Sequence, residues 1–120
     1  MLKILKALAE ENRLRIVSIL VSDDMCVCEI ENCLNLTQSN VSRHLSVLLK
    51  SGVLTSYKKA QWVYYKINSE FIESNMHLWQ YLEEEMKKIP SYKDDYNRIQ
   101  ICKLEDVCGT FSLKNESKKG

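Results

Sequence analysis

The sequence contains few residues that break regular structure and no apolar run long enough to cross a membrane. Of its 120 residues, three are Gly and one is Pro, while 45% are hydrophobic and 28% are charged. This composition excludes collagen, a Pro- and Gly-rich linker and a typical disordered chain. A membrane-spanning helix needs roughly 20 apolar residues, and the best run, residues 16–21, is interrupted by Ser18. The length fits one compact domain.

The N-terminus also lacks the features of a secretory signal, because Lys3 and Lys6 alternate with apolar residues and no small-residue cleavage site follows. We therefore expect a cytoplasmic protein with no membrane association. In a reducing compartment, the five cysteines are expected to be packed thiols, metal ligands or redox groups. An odd number of cysteines would also leave one thiol unpaired in a disulfide framework.

Acidic residues are absent from the middle of the chain. No Asp or Glu lies between Glu31 and Glu70, although the net charge of the whole chain is only +1. The same stretch contains basic residues, namely Arg43, Lys50, Lys58, Lys59 and Lys66. A polyanion would meet only positive or neutral side chains there. A chance gap in a solvated surface is the alternative, and the position of the stretch in the fold decides between them.

Apolar periodicity predicts the order helix, helix, short helix, helix, hairpin, helix. The helices are expected at residues 2–9, 10–21, 25–34, 38–51 and 70–88, with Thr37 capping the fourth and Pro90 ending the last. Two β-rich runs, residues 53–57 and 62–67, predict a hairpin with Lys58 and Lys59 at its tip. The fold class is therefore mainly α with a small β-hairpin, a winged helix-turn-helix.

The last predicted helix carries a stripe of large apolar residues that a small core cannot cover. The stripe comprises Ile72, Met76, Trp79, Leu82, Met86 and Ile89. A second copy of the chain is the simplest partner, so we expect a homodimer through terminal helices. Residues 1–89 are predicted to form the winged helix-turn-helix and dimerisation domain, and residues 90–120 a partly flexible tail with two cysteines.

The helix after Thr37 has the polar face expected of a recognition helix. Gln and Asn side chains match adenine edges, Arg matches guanine and Ser suits either. The predicted DNA contacts on this helix are Gln38, Ser39, Asn40, Ser42 and Arg43, with His44 as a candidate phosphate contact. Lys58 and Lys59 are predicted to meet backbone phosphates. A plain solvent face is the alternative, and no motif of the sequence indicates an enzyme.

Four sequence blocks together resemble the ArsR/SmtB family of metalloregulatory repressors over residues 3–89. The blocks are LKALA with RLRI, MCVCEI, QSNVSRHL and WVYYKI. The resemblance implies a homodimeric winged-helix repressor that binds an operator palindrome when ligand-free and releases it on binding metal. Cys26 and Cys28 resemble the thiolate site of the arsenical-resistance branch, which we favour, and of the cadmium/lead branch.

Two thiolates favour a soft ion, but their spacing has a mechanical consequence. On an intact helix they would point about 200° apart, so a shared ion should distort the first turn. The arsenical pattern often has a third Cys where this chain has Glu31. We expect Cys102 to complete the site, with Cys108 and Cys33 less favoured. Three thiolates suit trivalent arsenic or antimony, whereas cadmium, lead or zinc would recruit a fourth ligand.

Two other functions stay open at this point. The same DNA-binding protein could respond to thiol oxidation, with Cys26 or Cys28 paired to a tail thiol. A different class is a metal-sequestering thiol protein in which the helix-turn-helix serves only as a scaffold. The acid-free stretch and Arg43 argue against sequestration.

Overall fold

The computed structural model describes residues 1–105, with side chains described as far as residue 102. Its elements in chain order are α1 (Leu2–Leu8), α2 (Glu11–Ser22), β1 (Met25–Cys26), α3 (Val27–Leu34), α4 (Gln38–Ser51), β2 (Leu54–Lys59), β3 (Trp62–Ile67), α5 (Ser69–Ser74), α6 (Met76–Met86) and α7 (Tyr92–Glu105). None of these helices combines the length and the apolar content that crossing a membrane requires.

Helix α2 is the centre of the core. Glu10 caps its start by accepting hydrogen bonds from the backbone N–H groups of Asn12 and Arg13 at 3.1 and 3.0 Å. Ile16 and Val17 are completely buried on this helix. The helix contacts α1, α3, α4, α6, α7 and β3, so the elements of the site are fixed relative to one another through it.

The sheet has three antiparallel strands in the order β1-β3-β2. The expectation of a helix from residue 25 was wrong at its start, because Met25 and Cys26 pair with Tyr65 and Tyr64 of β3. The hairpin between β2 and β3 turns without glycine, and Ala60 takes a left-handed conformation there, with φ of 55°. The predicted hairpin is therefore present and is extended by a short third strand.

Helices α3 and α4 form a tight helix-turn-helix. Asn35 ends α3 in the left-handed conformation, with φ of 55°, which Asn tolerates better than most residues. The Thr37 hydroxyl then accepts a hydrogen bond from the backbone N–H of Asn40 at 3.3 Å and starts α4. Gly52 ends α4 with φ of 87°. The connection has little freedom, so the two helices keep a defined relative orientation.

The predicted single helix over residues 70–88 is divided at Asn75. The Asn75 side chain donates to the carbonyl of Phe71 at 3.0 Å, and its backbone N–H donates to Ile72, so it ends α5 before α6 begins. Trp79, Leu82 and Met86 are buried in the chain's own core. Most of the apolar stripe that was expected to need a second copy is therefore covered within one chain.

Helix α7 packs against α2 and α3. Arg15 on α2 makes two hydrogen bonds to the Asp95 carboxylate, both 3.0 Å long, and a third to the carbonyl of Leu34 at 2.9 Å. Asp95 is buried, and Ile99 lies in the core. The first part of the predicted tail is thus a helix attached to the end of α3, while the domain boundary at residue 89 stays a prediction.

Candidate nucleic-acid interface and thiol site

The outer face of α4 carries the predicted base-contacting side chains. Val41, Leu45 and Leu48 are buried on its inner face. The opposite face is exposed and comprises Gln38, Ser39, Asn40, Ser42, Arg43 and Ser46. One Arg43 guanidinium N–H donates to the Asn40 side chain at 3.3 Å, which holds both side chains near the start of the helix. The structure therefore brings five of the six α4 candidates, all except His44, to one accessible surface.

The hairpin is tethered to the body of the protein by Tyr57. Its hydroxyl donates a 2.7 Å hydrogen bond to Asp24, and its ring stacks on Tyr64 with centroids 5.5 Å apart. Burial, followed by the hydrogen bond to Asp24, raises the pKa of Tyr57, so the phenol stays protonated and continues to donate. Lys58 is exposed at the tip, whereas Lys59 is half-buried.

His44 does not belong to the exposed surface, and the expectation of a phosphate contact is corrected on this point. Its side chain is only 5% exposed. Arg13 Nη1 lies 3.3 Å from His44 Nδ1, and because a guanidinium can only donate, the imidazole nitrogen accepts. Burial lowers the pKa of His44, as do the charges of Arg13 and Arg43, although Glu10 opposes this. The ring is a structural connection between α2 and α4.

Cys26 and Cys28 line a common groove beside the start of α4, which we call the thiol groove. It has a volume of about 290 Å³ and lies between α3, α4 and β3. The lining residues are Cys26, Val27, Cys28, Glu31, Gln38, Trp62 and Val63. Gln38 is the first residue of α4, so the thiol groove and the candidate DNA surface meet at this side chain.

Cys26 precedes α3 rather than lying within its first turn. It is the N-cap residue with extended backbone angles, and its backbone N–H donates to Glu29 Oε1 at 3.0 Å. Glu29 is 1% exposed, so this carboxylate is committed to the start of the helix. Burial raises the pKa of the Cys26 thiol. The predicted 200° separation on one helix was therefore wrong, because only Cys28 is helical.

Among residues 1–102, the structure does not gather the other cysteines into one metal site with this pair. Cys28 is disulfide-bonded, whereas Cys26, Cys33 and Cys102 are buried cysteines outside any disulfide. Within the described part of the chain, no group of three or more His, Cys, Asp or Glu side chains is placed to hold a metal ion. Cys102 lies on α7, and Cys108 falls outside the described residues. Once the Cys28 disulfide is reduced, Cys26 and Cys28 supply two thiols that suit a thiophilic ion, but within residues 1–102 no third ligand is assembled with them.

Sequence reasoning missed the groups that support this site. The spacing of Cys26 and Glu29 matches the first and last positions of a capping box, which was a usable signal. By contrast, Arg15 and Asp95 are far apart in the sequence, as are Asp24 and Tyr57. No local pattern announces such pairs, because tertiary packing brings them together.

Comparison with known proteins agrees with this geometry. The family described as "Bacterial regulatory protein, arsR family" matches residues 10–56. The arsenic resistance transcriptional regulator ArsR1 of Pseudomonas putida is 38% identical over 68 residues, which cover 56% of this chain and 53% of that protein. The chain thus matches about half the length of this relative. The cadmium resistance regulatory protein CadC of Listeria innocua is 42% identical over 82 residues, covering 68% of this chain and 69% of that protein.

A solved structure has a similar fold. It is the homodimeric winged helix-turn-helix DNA-binding domain of Mb0332 from Mycobacterium bovis, with a TM-score of 0.60 and 25% identity over 69% of this chain and 77% of that one. Fold and site together define a winged helix-turn-helix regulatory protein. More particularly, the chain belongs to the arsR family of bacterial regulatory proteins, a family of regulators and not of enzymes.

Proposed function

We propose that this protein is a homodimeric transcriptional repressor that is released from operator DNA when trivalent arsenic or antimony binds its thiolates. The observation that carries the proposal is the thiol groove, in which Cys26 and Cys28 share a surface with Gln38, the first residue of α4. The similarity to regulators of arsenic and cadmium resistance supports the same conclusion. Such a repressor acts in the cytoplasm, where the operator is.

DNA docks on the exposed face of α4 and on the hairpin. Gln38, Asn40 and Arg43 have the donors and acceptors that read base edges in the major groove. Lys58 and Lys59 at the tip of the hairpin contact phosphates beside the groove. No acidic residue lies between Glu31 and Glu70 to repel the backbone. Because phosphate contacts release counterions, we expect operator affinity to fall steeply with salt.

The thiols connect to the DNA surface by two routes. Cys26 is held by Glu29 at the start of α3 and by pairing with Tyr64 of β3. When the Cys26 and Cys28 sulfurs bind one ion, Cys26 must move. That movement disturbs its hydrogen bond to Glu29 or its pairing with Tyr64. Loss of the Glu29 hydrogen bond moves the start of α3 and hence α4, whereas loss of the pairing with Tyr64 moves the hairpin. A 100-fold loss of DNA affinity requires about 2.7 kcal/mol of coupling, which is common in allostery.

A third thiolate completes the site in this proposal. Cys102 is the favoured candidate, because α7 contacts α3, and Cys108 and Cys33 follow. Three thiolates satisfy trivalent arsenic or antimony, because these elements form strong bonds to sulfur and the resulting site carries little charge. Cadmium, lead or zinc would take a fourth ligand, and the similarity to CadC favours this response as the runner-up.

The test is a titration of labelled DNA from the protein's own promoter with the protein reduced beforehand, so that Cys28 is a thiol, in the presence and absence of arsenite or cadmium. Arsenite should abolish tight, salt-sensitive binding, and an effect of cadmium alone would assign the runner-up. Binding of metal with no DNA affinity above the non-specific level would indicate a sequestering protein and contradict the proposal. Trp62 lines the thiol groove, so its fluorescence in a Trp79→Phe background reports arsenite binding without DNA.

Cysteine variants locate the response. Cys28→Ser should bind DNA as the wild type does and remain bound when arsenite is added. Cys33→Ala tests the least favoured third ligand, since Cys33 is buried on the same helix but does not line the thiol groove, and arsenite should still release this variant from DNA. Arsenite release of Cys28→Ser from DNA would remove Cys28 from the site. A Cys102→Ser variant tests the third ligand in the same way.

The disulfide at Cys28 favours a second candidate, a thiol redox switch. In that reaction two thiols and one peroxide molecule yield one disulfide and two water molecules. Peroxide, added to the same DNA titration, should then release DNA from the reduced protein while arsenite has little effect. Mass spectrometry of the treated protein would identify the bonded cysteines.

A further inference from the structure

A second groove, which we call the basic groove, lies beside the last turn of α4, away from Gln38. Residues of α1, α2 and α4 line it, namely Lys3, Lys6, Ala7, Arg13, Val47, Lys50 and Ser51. Its volume of about 410 Å³ falls within the usual range for small-molecule sites. It shares no lining residue with the thiol groove. The basic groove is therefore a separate candidate site.

The lining of the basic groove is positively charged and contains no acidic residue. Lys3, Lys6 and Lys50 are exposed, and they form no ion pair with any residue of the described chain. Glu10 is the carboxylate beside Arg13, and it already accepts two backbone hydrogen bonds at the start of α2. The groove therefore attracts an anion, and no acidic residue among those that line it competes for the lysines.

Arg13 is held rigidly at the edge of the basic groove. Its Nε donates to the carbonyl of Ala7, its Nη2 to the carbonyl of Lys6 at 3.4 Å, and its Nη1 to His44 Nδ1 at 3.3 Å. All three acceptors are neutral, so these bonds fix the guanidinium without cancelling its charge. A cation that is ordered in advance costs an incoming anion less entropy than a mobile one.

The walls of the basic groove are apolar between these charges. Ala7 is buried, and Val47 is half-buried against the core. The methylene stems of the lysines add to this apolar surface. Inorganic phosphate would leave these walls in contact with water. An anion that also carries an apolar body fits both the charge and the lining.

A second copy of the chain does not need to cover this groove. Leu2 and Leu5 are the exposed apolar residues of α1, 72% and 43% accessible. At about 100° per residue, the mean direction of Leu2 and Leu5 lies roughly 100° around the helix from that of Lys3 and Lys6. Leu5 lies about 100° from Lys6 and about 160° from Lys3, so a partner centred on Leu5 approaches α1 from the side away from the basic groove.

We propose that the basic groove binds a small organic anion with an aromatic or aliphatic body. The anionic group lies among Lys6, Arg13 and Lys50, and the body lies against Ala7 and Val47. Such a ligand contacts α1 and α4 together and raises the melting temperature by linkage. The organic anion is expected to bind in the absence of both operator DNA and arsenite, so this proposal can be tested independently of the proposed function.

The experiment is a fluorescence titration of the full chain, without DNA, with 8-anilinonaphthalene-1-sulfonate as the probe. The double variant Lys6→Ala/Lys50→Ala should bind the probe about tenfold more weakly, because two charged contacts are lost. Lys87→Ala/Lys93→Ala removes the same charge from exposed positions elsewhere and should bind as the wild type does. Naphthalene-2-sulfonate should displace the probe, whereas naphthalene-2-methanol and inorganic phosphate should not.

Three results would overturn the proposal. Equal probe affinity in Lys6→Ala/Lys50→Ala and the wild type would mean that the probe binds elsewhere. Displacement by the neutral alcohol as effectively as by the sulfonate would mean that charge plays no part. Displacement by a DNA duplex, with a uniform loss of DNA affinity in the variant, would make the groove a DNA-phosphate surface. Circular dichroism of both double variants verifies that they are folded.

Discussion

At the scale of single residues, the burial of His44 has a consequence for stability against pH. Its folded pKa lies below the ordinary value of 6.5, owing to burial and to the charges of Arg13 and Arg43 against the opposing Glu10. Between the two pKa values, His44 is therefore protonated in the unfolded chain and neutral in the folded chain. Stability is full above pH 6.5 and decreases as the pH falls below it, by at most about 1.4 kcal/mol per pH unit.

We expect His44→Gln to remove this part of the pH dependence. Urea unfolding on either side of pH 6.5 measures it, as the difference between the wild type and the variant. The wild type should lose more stability on acidification than His44→Gln does. Parallel losses in the two proteins would show that His44 titrates normally when folded.

On α4, the sequence was sufficient to predict the exposed face but not the burial of His44. The exposed face of α4 was predictable, because Val41, Leu45 and Leu48 fix which side turns inward. His44 is adjacent to that inner face, and only its contact with Arg13 reveals that it is buried. Helical periodicity alone places such a boundary residue on either side.

At the scale of elements, the Tyr57 hydroxyl links the hairpin to Asp24, which lies outside the hairpin. Tyr57→Phe removes the 2.7 Å hydrogen bond to Asp24 and keeps the ring stacked on Tyr64. We expect a loss of about 1 kcal/mol in the free energy of unfolding and faster hydrogen exchange in β2 and β3. Tyr81→Phe is the control, because Tyr81 is 62% exposed on α6. Identical exchange in both variants would contradict the tether.

The attachment of α7 depends on the pair formed by Arg15 and Asp95. The Arg15 side chain is 13% exposed and that of Asp95 is 3% exposed, so Asp95→Ala leaves a largely buried guanidinium without its partner. We expect the free energy of unfolding to fall by about 3 kcal/mol in urea titrations. Asp94→Ala, at an exposed position of the same helical turn, should change it little. Equal effects of the two substitutions would argue against this role.

Elements whose partners are distant in sequence were the ones that the sequence did not predict. Strand β1 has two residues and exists because β3 pairs with it. Helix α7 has weak apolar periodicity of its own. Asp95 and Ile99 become buried when the helix packs against α2 and α3. The division at Asn75 comes from a side-chain cap inside an otherwise continuous apolar pattern.

At the scale of the whole molecule, exposed apolar side chains indicate where a second copy binds in the proposed homodimer. Leu2 and Leu5 on α1 and Met76 and Tyr81 on α6 remain accessible in the single chain. Burying a large apolar side chain contributes roughly 1.5–3 kcal/mol. Leu5→Glu and Met76→Glu should therefore shift sedimentation from dimer towards monomer. Val63→Glu, on the hairpin, should sediment as the wild type does, and a monomeric wild type would contradict the homodimer.

The left-handed Asn35 and the cap at Thr37 leave only three residues between α3 and α4. Because this connection is short and rigid, the proposed DNA-reading residues of α4 and the proposed thiol site before it can be altered separately. If the proposed function holds, Ser39, Ser42 and Arg43 can be exchanged to select another promoter while Cys26, Cys28 and Glu29 remain unchanged. A biosensor assembled in this way would keep its chemical input and report it from a different gene.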